Sequence, residues 1–334
     1  MNGVAWLSGC TRRMVLFLAV FCVAPSPILT ARAKPGLSTS AQTALEAGIA
    51  HAQAGRLREA SEAMARAAEL APQSAEMWHN FGILNAQMGR LEEAVRMLNR
   101  AAGLEPDYRH THIVLGAVYQ RMGRLQDARK AYRRAVELAP QMPDAHRVLG
   151  LLAVVQNDLT EAAAAFRRAV ELAPGSAELR YRLGAVELKR GLREDGEAAL
   201  QRATALDSTF LPAWLMLAAQ YKQQRHLNRA LDAYTRVVAL NPASSRGWQG
   251  LGDVEAARGN YPRAADAFRR AEQADTSSVD APYLLGRALV FLGSPEDAIP
   301  AFERALRLAP DFADARSAQA NAYAALGKDQ KAAN

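Results

Sequence analysis

The stretch AEMWHNFGILNAQMGRLEEAVRMLNRAAGLEP, from Ala75 to Pro106, decides the fold because it recurs, with changes, along most of the chain. Its closing proline belongs to a series spaced 34 residues apart: Pro72, Pro106, Pro140, Pro174, Pro242 and Pro310, with Ser208 and Thr276 where two further prolines are due. A period of that length marks a solenoid of helix-turn-helix units, each burying its apolar face only against its neighbours.

Counting each unit from 31 residues before its proline slot gives eight repeats, starting at Ala41, Ala75, Arg109, Pro143, Ala177, Leu211, Ser245 and Val279. Position 8 is glycine in every repeat but the sixth, which has Ala218. Position 20 is alanine except for Gly196, and position 27 is alanine except for Val237. Small side chains at these points let two helices approach closely. Position 24 supplies the large knob that fills the remaining space: Met64, Leu98, Tyr132, Phe166, Leu200, Tyr234, Phe268 and Phe302.

Position 15 is glycine in six repeats and Asn157 or Arg225 in the others, where a left-handed helix C-cap favours glycine. Proline at position 32 cannot continue a helix and pushes the residue before it out of the α region. The spacing therefore predicts helix A over positions 1–14 and helix B over positions 16–29 of each repeat.

The second repeat carries Trp78, Phe81-Gly82, Gly89, Leu91, Ala94, Leu98, Ala101 and Pro106, and with these residues the pattern resembles the tetratricopeptide repeat family. The resemblance covers residues 41–334. It implies an all-α fold, a right-handed superhelical solenoid of antiparallel helix pairs, and a role in binding other proteins rather than catalysis. It also implies that helix A lines the concave surface through positions 2, 5, 6, 9, 12 and 13. Carried onto this chain, those positions yield a peptide-binding strip of His79, Asn80, Ile113, Val114, Arg147, Val148, Leu151, Tyr181, Arg182, Leu215 and Met216. Apolar side chains of a bound peptide or helix would enter the strip, and the two arginines would meet carboxylates.

Two better-defined family sites do not fit. In a clamp for a C-terminal carboxylate, Asn80 would need lysine, asparagine and arginine partners, but Leu45, Ile49, His110 and Val114 stand there. A ladder of asparagines at position 6 has only Asn80. Metal and cofactor sites are likewise not expected. His110 and His112 are two residues apart, so a helix points them about 200° apart. His112 and His146 share position 4 with Trp78, Trp214 and Trp248, which reads as an aromatic packing slot. No nucleophile–base grouping, paired catalytic carboxylates or phosphate-binding loop lies outside the repeats.

The first 40 residues do not belong to the array. Arg12 and Arg13 precede an apolar run from Met14 to Ala24, followed by Pro25 and Pro27 and then Ala31-Arg32-Ala33. That order reads as a signal peptide over residues 1–33, with cleavage between Ala33 and Lys34 and a linker over 34–40. The paired arginines leave both the general secretory and the twin-arginine route open. The alternative is an uncleaved anchor over residues 14–24 in the inner membrane. Both cysteines, Cys10 and Cys22, fall inside this leader, so cleavage leaves a chain suited to an oxidising compartment. The formal charge of +7 falls further on removal of Arg12, Arg13 and Arg32, and a small excess on a long surface gives no argument for nucleic acid.

The expected protein is thus an exported scaffold or adaptor, periplasmic or extracellular, with repeats over 41–312 and a capping helix, a partial ninth repeat, over 313–334. Two other readings stay open: a membrane-tethered structural subunit of a secretion or pilus complex, and a substrate-presenting subunit of an envelope enzyme. Local departures from the pattern carry expectations of their own. Gly196, Arg193 and Ser208 predict a soft helix B in the fifth repeat, over 192–205. Ser294 reads as an N-cap, and Pro300, inside a helix, predicts a bend.

Overall fold

Helix B of each repeat is apolar along a single stripe, whereas helix A has small or apolar residues on most sides, and each takes the place this dictates. The computed structural model describes residues 38–327 and contains, among them, 17 α-helices and no strand. The expected leader, its cleavage point at Ala33 and Lys34, the anchor alternative over 14–24 and the last seven residues of the chain lie outside the described residues.

The chain divides into two compact units, one ending at Pro174 and the other beginning at Gly175. The first contains four helix pairs: α1 (Thr39–Gln53) with α2 (Leu57–Leu70), α3 (Ala75–Gln87) with α4 (Leu91–Leu104), α5 (Arg109–Arg121) with α6 (Leu125–Leu138), and α7 (Pro143–Val155) with α8 (Leu159–Leu172). The second contains α9 (Ala177–Lys189) with α10 (Arg193–Leu206), α11 (Leu211–Gln223) with α12 (Leu227–Leu240), α13 (Ser245–Ala257) with α14 (Tyr261–Ala274), and α15 (Asp280–Phe291) with α16 (Pro295–Leu308). It closes on the single helix α17 (Ala313–Ala325). Within each unit, helix B packs on its own helix A and on helix A of the next repeat. Hence α4 buries only a stripe of Ala94, Leu98 and Ala101, while α7 buries every residue from Ala145 to Gly150 and then Leu152 and Ala153.

Helix A is broken off by the same motif in every repeat. The N–H at position 15 bonds to the carbonyl at position 12, and the N–H at position 16 to that at position 11, as in Gly89 to Ala86 (3.1 Å) and Arg90 to Asn85 (2.9 Å). This is a Schellman ending, and it demands a left-handed residue at position 15. Completing it consumes position 16, so helix B begins at position 17, one residue later than the spacing predicts. Arg225 occupies this slot with φ +62°, where its Cβ crowds its own backbone. Replacing Arg225 by glycine should stabilise the protein by about 1 kcal/mol, measured as a raised urea midpoint.

The two turns without proline have a different support. Asp207 Oδ1 accepts from the Thr209 N–H (2.8 Å) and hydroxyl (2.7 Å), and Asp275 Oδ1 accepts from the Ser277 N–H (3.0 Å) and hydroxyl (2.7 Å). An Asx turn at position 31 thus holds the bend that the proline ring holds elsewhere. These hydrogen bonds keep both carboxyls below the usual aspartate range.

The fifth and eighth repeats carry the local breaks in the pattern. In α10, a Cβ on Gly196 would lie 2.6 Å from Leu188 Cγ and 3.0 Å from the Gly184 carbonyl oxygen, so the glycine gives α9 and α10 their close backbone approach. The chain divides at the turn before this repeat rather than within α10. Helix α16 runs unbroken from Pro295 to Leu308 through Pro300, whose ring is exposed, so the Glu296 carbonyl left without a donor lies where water reaches. Ser294 stands at the N-cap, but its side chain makes no capping hydrogen bond.

The position 24 knobs explain the glycines at position 8. A Cβ would fall 2.6 Å from Leu98 Cγ at Gly82, 2.9 Å from Phe166 Cε1 at Gly150 and 2.5 Å from Phe302 Cε1 at Gly286. The sixth repeat has Ala218 there, and its knob takes another direction. The Tyr234 ring lies against Gly250 of the next repeat, where a Cβ would be 2.2 Å from Cε1 and 2.3 Å from Cζ. Gly250→Ala should therefore destabilise by about 1–3 kcal/mol. Adding Ala218→Gly should recover much of that loss by letting the ring swing back onto its own helix A; denaturant melts of the single and double variants measure both effects.

Candidate peptide-binding face

In the first unit, the expected strip is largely closed. His79 is 5 % exposed and Asn80 2 %, and Val114, Arg147 and Val148 are each 8 % exposed; Ile113 and Leu151 are half-buried. His79 Nδ1 lies 3.0 Å from the Thr111 hydroxyl, and its ring meets Tyr108 edge-on with centroids 5.0 Å apart. The Asn80 amide nitrogen is buried with no hydrogen-bond partner. Arg147 donates from Nε to Asp144 Oδ1 at 2.9 Å, so its guanidinium is paired within its own helix instead of standing ready for a ligand carboxylate. His79 is covered by the start of the next repeat, through Tyr108 and Thr111, and Val114 and Val148 belong to the apolar clusters between helices.

Burial of His79, followed in effect by the nearby charge of His110, lowers its pKa from 6.5 to about 4. Between those values the unfolded chain binds a proton that the folded one refuses. Stability therefore falls as pH drops from 6.5 to about 4, by up to about 3 kcal/mol from this group. His79→Gln, which keeps an acceptor for Thr111, should flatten the pH dependence of the urea midpoint across this window.

In the second unit, the strip is more open. Tyr181, Arg182, Leu215 and Met216 are all half-buried. Tyr181 stands edge-on to Phe210 at 5.5 Å, and Arg182 donates from Nε (2.9 Å) and Nη2 (2.6 Å) to Glu178 Oε1. The same register positions continue through Gln249, Asp253, Tyr283, Leu284 and Arg287, none of which is buried. The register that selects Leu215 selects these equally, so the expected strip stopped two repeats short. Lys222, at position 12, donates from Nζ to Asp253 Oδ2 at 2.7 Å, an ion pair joining α11 to α13.

Position 4 is a joint between repeats. Trp78, Trp214 and Trp248 donate their indole N–H to the carbonyls of Pro72 (2.9 Å), Ser208 (3.0 Å) and Pro242 (2.8 Å). His112 and His146 place Nε2 2.9 Å and 3.0 Å from the carbonyls of Pro106 and Pro140, which makes that nitrogen the protonated one. In these five repeats the slot holds an aromatic ring carrying an N–H, and in α17 Arg316 donates to the Pro310 carbonyl in the same way. Sequence reasoning missed a second constant: position 26 is arginine in all eight repeats, from Arg66 to Arg304. Arg100 lies 4.3 Å over the Trp78 ring and Arg270 4.7 Å over Trp248, while Arg236 donates to the Ser208 carbonyl. Among the described residues, no group of three His, Cys, Asp or Glu could hold a metal ion, and no helix is long and apolar enough to cross a membrane.

Three family models of the tetratricopeptide repeat match the chain. One covers residues 113–177, 215–279 and 283–333, which is more than half of it; the others cover 73–141 and 153–221. The chain belongs to the tetratricopeptide repeat family. Among solved structures, this tetratricopeptide repeat protein resembles PilF of Pseudomonas aeruginosa at 19 % identity and TM-score 0.53, over 64 % of this chain and 97 % of PilF. A tetratricopeptide repeat protein from Parabacteroides merdae matches at 19 % identity and TM-score 0.53, over 75 % of this chain and all of the other. YrrB, described as having an unusual peptide-binding site, matches at 21 % identity and TM-score 0.50, over 56 % and 96 %. At such identities the likeness concerns the fold. No curated protein matches the chain.

Proposed function

We propose that the protein is an exported, non-catalytic interaction scaffold that binds a peptide or helix on the inner face of its second unit. The observation that carries this reading is the contrast in exposure between the two units. Five of the seven expected contact residues in the first are buried, whereas all four in the second are half-exposed. A face that mixes Leu215, Met216, Tyr283 and Leu284 with Gln249 and Arg287 suits an extended chain, whose apolar side chains find pockets while its amides find polar partners. That YrrB, another tetratricopeptide repeat protein, has a peptide-binding site favours the same reading. Export rests on the order of charged, apolar and small residues over 1–33 and on the confinement of both cysteines to that stretch.

Two measurements test this. Peptides selected from a random dodecapeptide library on the full chain should bind Leu215→Glu/Met216→Glu at least about tenfold more weakly, because two charges would be driven into apolar contacts. They should bind Ile113→Glu/Leu151→Glu nearly as well as the parent; equal binding by all three proteins rejects the second unit as the site. N-terminal sequencing of the exported protein should begin at Lys34, and an intact Met1 would favour the anchored alternative.

A further inference from the structure

Most exposed large apolar side chains among the described residues stand singly, but Val290, Phe291 and Leu292 follow one another at the end of α15, and Phe291 is 59 % exposed. Helix α15 turns Ala281, Pro282, Leu285, Gly286 and Ala288 into the array. On its opposite side, Tyr283, Leu284, Arg287, Val290 and Phe291 fall at i, i+1, i+4, i+7 and i+8, and none is buried. They form a stripe along the helix axis, about 12 Å long at 1.5 Å per residue. In the register of Val290 and Phe291, α13 has Ala256 and Ala257, and α17 has Ala324 and Ala325. Large side chains between small ones make a ridge with a shallow trough on either side.

The ridge is held in place by its own repeats. Tyr283 packs on Phe302 (centroids 6.2 Å apart) and Phe312 (4.8 Å), and Phe291 stacks on Tyr261 at 4.7 Å with 9° between the rings. The Arg287 guanidinium lies 5.7 Å over the Tyr283 ring. A guanidinium laid over a ring keeps its in-plane N–H groups free to meet a carboxylate. Arg287 is exposed and enters none of the ion pairs found among the described residues. Two other cations of this face are already matched, Lys222 by Asp253 and Arg182 by Glu178. The one acidic side chain of α15, Asp280, stands two turns away at its first residue. The middle of an apolar ridge thus carries an unmatched positive charge.

An extended chain crossing from α13 to α17 would meet this ridge at a single level. A helix laid along α15 would meet its whole length, with one row of side chains in a trough. We propose that the ridge docks an amphipathic helix of a partner protein, with bulky apolar residues against Phe291, Val290 and Leu284 and an aspartate or glutamate paired with Arg287. This contact goes beyond the peptide-binding reading above, since it needs neither Leu215 nor Met216.

The probe is a phage-displayed library of peptides about 18 residues long, enough to hold a helix, with one face randomised among Leu, Phe, Gln, Glu and Lys. The target is the full chain. Selected helices should carry glutamate in the contact row, with Leu or Phe one turn to each side. Changing that acid to lysine should weaken binding to the parent about tenfold, and Arg287→Glu should reverse the preference. Reversal also shows that the variant is folded. Phe291→Ala should weaken the selected helices about tenfold, whereas Leu215→Glu/Met216→Glu should weaken them less than about twofold. Helices lost on Leu215→Glu/Met216→Glu but indifferent to Phe291→Ala would overturn the ridge and leave the face proposed above standing. Helices without an acid, helices whose acid is indifferent to Arg287→Glu, or a selection that yields none would also overturn it. Two further outcomes would replace the occupant and so reject the proposal. A dimer that Phe291→Ala dissociates in sedimentation would make it a second copy of the chain. Binding to phosphatidylglycerol vesicles that Phe291→Ala abolishes would make it a membrane.

Discussion

The structure rests on one contact, repeated along the chain: a large side chain on helix B pressed against the bare backbone of helix A. A helix-interior glycine costs about 1 kcal/mol relative to alanine. Full burial of a leucine or phenylalanine returns about 1.5–3 kcal/mol, so the exchange favours the pair. It also sets the distance between the two helices, because nothing but backbone separates knob from axis. Every other regularity follows from that separation, including the small residues at positions 20 and 27 and the short turn that the Schellman ending allows. The amphipathic B helices, with arginine at position 26 on their outward side, are the other half of the same arrangement.

Much of this was legible in the chain before any coordinates. The prolines, glycines and alanines set the period, the pairing and the order of the helices, because each is required by a local backbone or steric condition. Apart from the start of α1 at Thr39, two residues early, helix boundaries were legible to within one residue, and helix B starts late because position 16, filled by Arg90 and its counterparts, finishes the preceding helix. The aromatic slot at position 4 was legible as packing, but its hydrogen bond to the carbonyl at position 32 was not, since a carbonyl leaves no mark on residue identity. Pro300 was legible as a proline inside a helix, but that it lies on the side facing water was not.

The candidate site was legible only in register. Position numbers identify which residues point inward, but how far each is covered depends on the depth of the neighbouring helices. Hence His79 and Asn80, polar residues at contact positions, are buried, while Leu215 and Met216 retain exposed surface. The two deviations at Ala218 and Gly250 were each visible as a departure from the repeat. Their connection through Tyr234 is a matter of side-chain direction, which the pattern of residue types does not specify.

That connection has a consequence for how such a chain can change. Repeat arrays are usually regarded as strings of interchangeable cassettes, to be lengthened, shortened or shuffled in steps of one period. The sixth repeat here is not a cassette. Moved beside any neighbour whose position 6 has a side chain, its tyrosine would have no place to lie. The seventh repeat, placed after an ordinary knob, would carry a hole beside Gly250. The two are inherited as a pair or not at all, so the unit of rearrangement at this point in the chain is two periods long.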